Sequence, residues 1–255
     1  MSDDVILEVL DHVAVITINR PQVRNAIDLP TSEAIAAALD EVERRSDVRS
    51  IVLTGAGETF CAGMDLKAFA KTGERPVTAS RGGFGIVEAP PSKPIIAAVE
   101  GKALGGGFEI ALACDLIVAT ETSAFGLPEV SRGLIASAGG VLRLPQRIPK
   151  NIAMEMLFTG AAITARRAAE LGLVNEVVPA GNAVSAAIVL AQRIGKNAPL
   201  AVLAVKQVAN LSRDWTADSA FARQRPFADA VRQSKDAAEG AQAFVEKREP
   251  QWSGA

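Results

Sequence analysis

The chain has 255 residues, a formal net charge of −2, and 49% apolar beside 22% charged residues. That length buries one large core, or a core with a smaller appended unit, and so even a charge balance excludes a broad surface for nucleic acid or an anionic membrane. One histidine and no tyrosine are available for chemistry, which takes away the base of Ser-His-Asp or Cys-His catalysis and the usual ligands of zinc.

In chain order, Val5, Leu7 and Val9, then Val13, Val15 and Thr17, alternate as strands of a hairpin, with His12 an exposed residue of its turn. Pairing ends at Asn19-Arg20-Pro21. Thr31 or Ser32 is the expected cap of a helix carrying Ile35, Ala38, Leu39 and Val42 at helical spacing. Residues 50–54, SIVLT, form a short buried strand, and the glycine-punctuated GAGETFCAGMDL follows its end, where α/β folds place ligands. Residues 71–93 mix Gly, Pro and charge with little period and are expected to be partly helical and mobile. PIIAAVEG is another buried strand, GKALGGGFEIALACD leads into a helix, and residues 115–119 return to strand. Strand, turn, helix and strand recur twice, the pattern of right-handed crossovers and a largely parallel sheet.

From about Ala138 the chain turns mostly helical, including TARRAAELG with Thr164 as cap and Gly172 as stop. Residues 182–211 and 216–247 read as further helices, interrupted at Pro199 and Pro226. The two cysteines, Cys61 and Cys114, lie in apolar motifs and suit free thiols in a reducing cytoplasm. The acidic, alternating start suits neither a secretory signal nor a transit peptide, and no uncharged apolar run reaches bilayer length.

Gly105 to Gly107 lack the spacing of a dinucleotide fingerprint or a phosphate loop. Two readings remain. One is tight packing of strand on helix. The other is a helix N-terminus cleared of side chain so that an anionic oxygen reaches its unpaired N–H groups, with FCAGMDL and Gly63 supplying a second donor at Met64. A thioester oxygen turning to enolate would be held there. Proton transfer would then fall to Glu109 and to Glu129, whose direction Pro128 helps to fix. The plain alternative for each acid is a buried hydrogen-bond partner or a helix N-terminal acid.

Together NRPQVRNAID, TGAGETFCAGMDL, KPIIAAVEGKALGGGFEIALACD, AFGLPEVSRGL, LFTGAAITARRAAELGLVNEVV and EGAQAFVEKREPQW resemble the crotonase superfamily, the enoyl-CoA hydratase/isomerase family. The resemblance covers nearly the whole chain. It implies an α/β fold of the ClpP/crotonase-like type, a ββα superhelix over residues 1–195, with a helical trimerisation or lid region over 196–255. It implies a homotrimer or dimer of trimers acting on an acyl-CoA thioester, with no metal and no cofactor beyond the coenzyme A of the substrate, and no nucleic-acid or membrane partner. By motif match the oxyanion donors are Met64 and Gly106, and Glu109 and Glu129 are the two glutamates that hydratases use. Arg24, Ala26, Ala62, Asp65 and Leu66 fall where the nucleotide of CoA would lie, and Gly63, Gly105, Pro128 and Ser137 line the substrate. Where family hydratases often show P-G-A-G-G, this chain has Ala136-Ser137-Ala138-Gly139-Gly140, so a backbone donor persists there only if φ suits serine. GGVLRLP is also similar to carnitinyl-CoA dehydratases. The reactions so implied are hydration of a 2-enoyl-CoA, its carnitinyl counterpart, or a 3,2-isomerisation. A non-catalytic or RNA-binding member of the family is the reading from another class, against which the lack of a basic stripe and the 4% aromatic content count.

Overall fold

A computed structural model describes residues 3–255. Val5–Leu10 (β1) and Val13–Ile18 (β2) pair antiparallel, Val5 opposite Ile18. Asp11 and His12 between them take φ of 46° and 67°, the doubly left-handed turn whose twist matches the strands it joins. His12 is exposed there, its Nδ1 2.6 Å from the Asp47 carbonyl oxygen.

The first helix, Leu29–Arg44 (α1), begins earlier than expected, because its cap is Asp28, which accepts the Thr31 N–H at 3.0 Å. Pro30 lies in the first turn, where a missing N–H is no loss, so Thr31 and Ser32 are already inside the helix. Ser50–Gly55 (β3) is buried throughout. Leu66–Thr72 (α2) follows the FCAGMDL loop, and the aperiodic stretch after it holds a two-stranded ribbon of Val77–Thr78 (β4) and Gly82–Gly83 (β5). Arg81 to Val87 is buried without interruption, so this segment packs into the body.

The chain then runs through Ile95–Val99 (β6), Lys102–Leu104 (β7), Gly106–Ala113 (α3), Leu116–Thr120 (β8) and Ala124–Gly126 (β9). Gly140–Arg147 (α4), Lys150–Thr159 (α5), Ile163–Thr164 (β10), Ala165–Glu170 (α6), Glu176–Val178 (β11) and Ala183–Gly195 (α7) complete the core. Thr164 caps α6 as expected, accepting the Arg167 N–H.

The main sheet has the order β1-β2-β3-β6-β8-β11 and is parallel from β2 onward. Both of its faces are covered, as parallel sheets require. One face meets Ile35, Leu39 and Phe108 of α1 and α3, and the other meets Ala183, Ala187 and Ala191 of α7. A smaller sheet takes one short segment from each crossover. β7 and β9 run parallel, β10 closes the edge, and Cys61 bridges to Ala103 of β7.

Beyond the core lie Pro199–Leu211 (α8), Ala220–Arg232 (α9) and Lys235–Glu246 (α10). Pro199 opens α8, but Pro226 lies inside α9, and the break expected there falls at Ser234, the cap of α10. The carbonyl that Pro226 leaves without its bond belongs to a helix with no buried residue and is open to solvent. Among the described residues no single helix is long and apolar enough to cross a membrane, though the sharply bent pair of residues 183–195 and 199–214 passes on length and composition.

Candidate active site

The small sheet explains how distant residues meet. Cys61, β7 and β9 are parallel neighbours, so the residues just beyond their C-terminal ends emerge side by side. Those residues are Met64, Gly106 and Glu129. Gly105 N–H donates to the Gly126 carbonyl at 2.9 Å, which ties the start of α3 to the end of β9.

Each of the three glycines has its own reason. Gly105 takes φ 53° and ψ −127°, a conformation open to glycine, and a Cβ there would lie 3.0 Å from Oε1 of Glu129. A Cβ on Gly106 would lie 2.1 Å from the ring of Phe84, and one on Gly107 2.1 Å from the Cys61 carbonyl oxygen. Close packing and an open N–H are therefore compatible at this turn. Gly106 is the first residue of α3, where a helix has no internal acceptor for its N–H.

The second loop reaches the same place. Ile27 pairs with the loop through the Gly63 carbonyl and the Asp65 N–H, at 2.8 and 2.9 Å, and leaves the Met64 N–H out. Among the described residues neither Met64 nor Gly106 donates a backbone hydrogen bond. Gly63, at φ 94°, is so close that a Cβ on it would lie 3.0 Å from the Gly106 nitrogen.

The loop is clamped by two residues that the motifs alone did not single out. Arg20 donates to the Ala26 carbonyl at 2.6 Å and to Asp65 at 3.2 Å, and pairs with Asp28 at 3.0 Å. Asn25, fully buried at φ 54°, donates to the carbonyls of Ala56 and Thr59. Their only sequence signal is polar residues just past the end of a strand.

Glu109 is 3% exposed, and its Oε1 accepts the Gly140 N–H at 2.9 Å. Burial pushes its carboxyl up to about 7; the charge of Glu129 adds to this, while the Gly140 and Ala138 backbone donors and the Arg143 guanidinium oppose it. Gly140 was not foreseen as a functional residue, although a Gly-Gly pair opening a helix was its signal. Glu129 stands in a 3-10 turn, Pro128–Arg132, opened by its proline. Burial raises its carboxyl as well, with Arg132 pulling the other way. Its Oε2 is buried without a partner among the described residues, an unmet need that a ligand or water would fill.

Met64, Gly106, Glu109 and Glu129 line one cavity of about 730 Å³. Ala62, Gly63, Leu66, Gly105 and Ser137 line it too, and Arg75 and Arg132 add positive charge to its wall. Ser137 is not among the left-handed residues, so its backbone suits a side chain. Arg24, Ala26, Asp65 and Pro128 are not on the cavity wall. Arg24 is exposed beside the loop, its carbonyl accepting the Ala62 N–H at 3.0 Å, whereas the Asp65 carboxylate is committed to capping α2 and to Arg20. Cys61 and Cys114 are free, and burial pushes both thiols up to about 12.

The model of the Enoyl-CoA hydratase/isomerase family matches residues 8–255. The chain belongs to that family. Its crotonase fold is shared with solved structures, among them an enoyl-CoA hydratase from Mycobacterium tuberculosis H37Rv, 52% identical with a TM-score of 0.97 and all of both chains covered. A carnitinyl-CoA hydratase from Mycobacterium avium is 46% identical with a TM-score of 0.80, again over 100% of each. A carnitinyl-CoA dehydratase of Proteus mirabilis is 40% identical over 262 residues, covering 100% of both. The chain is an enzyme of this family, and these relatives are hydro-lyases.

Proposed function

We infer that the protein is an enoyl-CoA hydratase, adding water reversibly across the 2,3-double bond of a 2-enoyl-CoA. One observation carries the reading: two unpaired backbone donors and two carboxyls of raised pKa line a single cavity. The thioester oxygen accepts from Met64 and Gly106, and charge gathers on it as the enolate forms. Glu109, ionised and held by Gly140, takes a proton from water as the water oxygen bonds to C3. The π pair of the double bond passes to the enolate, and protonated Glu129 then delivers its proton to C2. Two carboxyls that line one cavity, with the charge of Glu129 felt at Glu109, favour such a state, with one proton between them. Exchange with solvent restores the proton to Glu129. The chemistry draws on no metal or redox group, and coenzyme A enters as part of the substrate.

The nucleotide of CoA is assigned to the edge formed by residues 24–26 and 62–66, with Arg24 nearest a phosphate. The C-terminal helices are read as the surface of a homotrimer or dimer of trimers, because Phe221 and Phe244 stand 76% and 84% exposed there. The free buried thiols fit a reducing cytoplasm.

A second reading keeps the chemistry and changes the acyl group. The carboxylate of Glu88 and the rings of Phe69 and Phe84 line the same cavity, residue types that hold a quaternary ammonium, and carnitinyl-CoA enzymes stand among the relatives. Purified protein is given crotonyl-CoA and, separately, a 2-enoyl-CoA bearing a quaternary ammonium. Loss of the conjugated enoyl absorbance with the first supports the hydratase. Loss with the second alone supports the carnitinyl reading, and no loss with either contradicts both.

A further inference from the structure

Phe84 is the one cavity-lining aromatic residue whose backbone is left-handed, at φ 55°, a conformation rarely taken by bulky side chains. The surroundings impose it. Its N–H donates to the Pro76 carbonyl at 2.7 Å. Gly85, next in the chain, lies so close on α1 that a Cβ would meet the Ser32 carbonyl oxygen at 2.1 Å. Three residues on, the Arg143 guanidinium donates to the Val87 carbonyl.

Held in this way, the side chain is 7% exposed, and its far edge faces the start of α3. Cζ, Cε2 and Cε1 lie 2.1, 2.6 and 2.8 Å from the point where Gly106 would carry a Cβ. The ring thus rests on the Cα of the residue assigned to hold the thioester oxygen. In that reading, on which the inference rests, C1 and C2 of the acyl group are the substrate atoms nearest Gly106. A ring that cannot withdraw bounds the space beside them.

We propose that Phe84 is a specificity-determining residue that excludes acyl groups branched at C2. A methyl group on C2 would need the volume the ring occupies, and neither the backbone nor the packing lets the ring move aside. Straight 2-enoyl groups lie flat past it.

The test uses saturated acyl-CoAs, so that binding is read apart from turnover. Calorimetry measures the Kd of butyryl-CoA and of 2-methylbutyryl-CoA for wild type, F84G and F84A. F84G removes the ring and places at φ 55° the residue best suited to it, and F84A is the second variant. Wild type should bind the branched ligand about tenfold or more weaker than the straight one, the scale of one methyl group in a fitted pocket. In either variant that ratio should fall close to one while the circular dichroism spectrum stays unchanged. Equal affinities in wild type, an unchanged ratio in the folded variants, or no binding of either ligand overturns the inference. A shifted ratio in a protein that hydrates no enoyl-CoA overturns only the hydratase reading.

Discussion

Two helices of this chain begin on glycine beside one cavity, and they use their first N–H groups in opposite ways. α4 starts at Gly140 behind Gly139 at φ 101°, and its first N–H is given to Glu109 at 2.9 Å. α3 starts at Gly106 behind Gly105 at φ 53°, and its first N–H has no backbone partner among the described residues. The same local device orients a carboxylate of the protein in one place and leaves an N–H open in the other. What distinguishes them is whether an acid of the chain is within reach, and that is set by the small sheet.

The largest effect should come from removing the acid that α4 holds. Glu109→Gln should lower kcat by about 10²–10⁴-fold, the usual scale of general acid–base catalysis, with thermal unfolding near that of wild type. Steady-state hydration of crotonyl-CoA reads it, and a rate within a fewfold of wild type would make Glu109 a packing residue. Next in size is the open donor of α3. Gly63→Ala would bring a Cβ to 3.0 Å from the Gly106 nitrogen and force alanine to φ 94°. A loss of about 10²–10³ in kcat is expected for one oxyanion donor, and unchanged turnover would remove Gly106 from that role.

Gly140→Ala breaks the comparison from the other side. Its Cβ would meet Ala136 at 2.8 Å, Leu127 at 2.9 Å and Oε1 of Glu109 at 3.1 Å. Overpacking of this kind should cost about 1–3 kcal/mol, measured by urea unfolding, with a fall in kcat as Glu109 is pushed from its place. Full stability would mean that the start of α4 can shift to admit a methyl group.

The smallest effect is electrostatic. Burial raises Glu109 to about 7, and the Glu129 charge raises it further than burial alone would. As a base Glu109 must be ionised, so the acid limb of kcat/KM should fall well above the ordinary carboxylate range. Glu129→Gln should leave the limb of the residual activity in place, because protonated Glu129 and glutamine are both neutral. A limb that moves to lower pH would show that Glu129 is charged while Glu109 titrates. For stability the sign is reversed. A carboxyl raised from 4.5 to about 7 on folding adds stability that is whole below 4.5 and lost as pH rises through 7, because the native state binds the extra proton. Glu109→Gln should flatten that slope in urea midpoints taken across the range.

Much of this was legible in the residues. Alternation and buried runs marked β1, β2, β3, β6 and β8, and the pairing of FCAGMDL with GGGFE marked the two donor loops. The strands of two or three residues, β4, β5, β7, β9, β10 and β11, were not legible, since so short a segment has no period to read. Of these, β7 and β9, with the bridge from Cys61, are what bring Met64, Gly106 and Glu129 together. Asp28 was missed as the cap because Pro30 hid the true start of α1, and Pro226 misled because a solvated helix tolerates it. The reason for glycine at 106 lay in a ring from a distant segment, which no local pattern contains.

The central claim is that the two carboxyls work on water beside a thioester held by the open turn of α3. Reaction with crotonyl-CoA in heavy-oxygen water, followed by mass spectrometry of the acyl product, tests it most directly. The account predicts one solvent oxygen incorporated at C3 in wild type and almost none with Glu109→Gln over the same time. Turnover that moves the double bond without taking up solvent oxygen would contradict it.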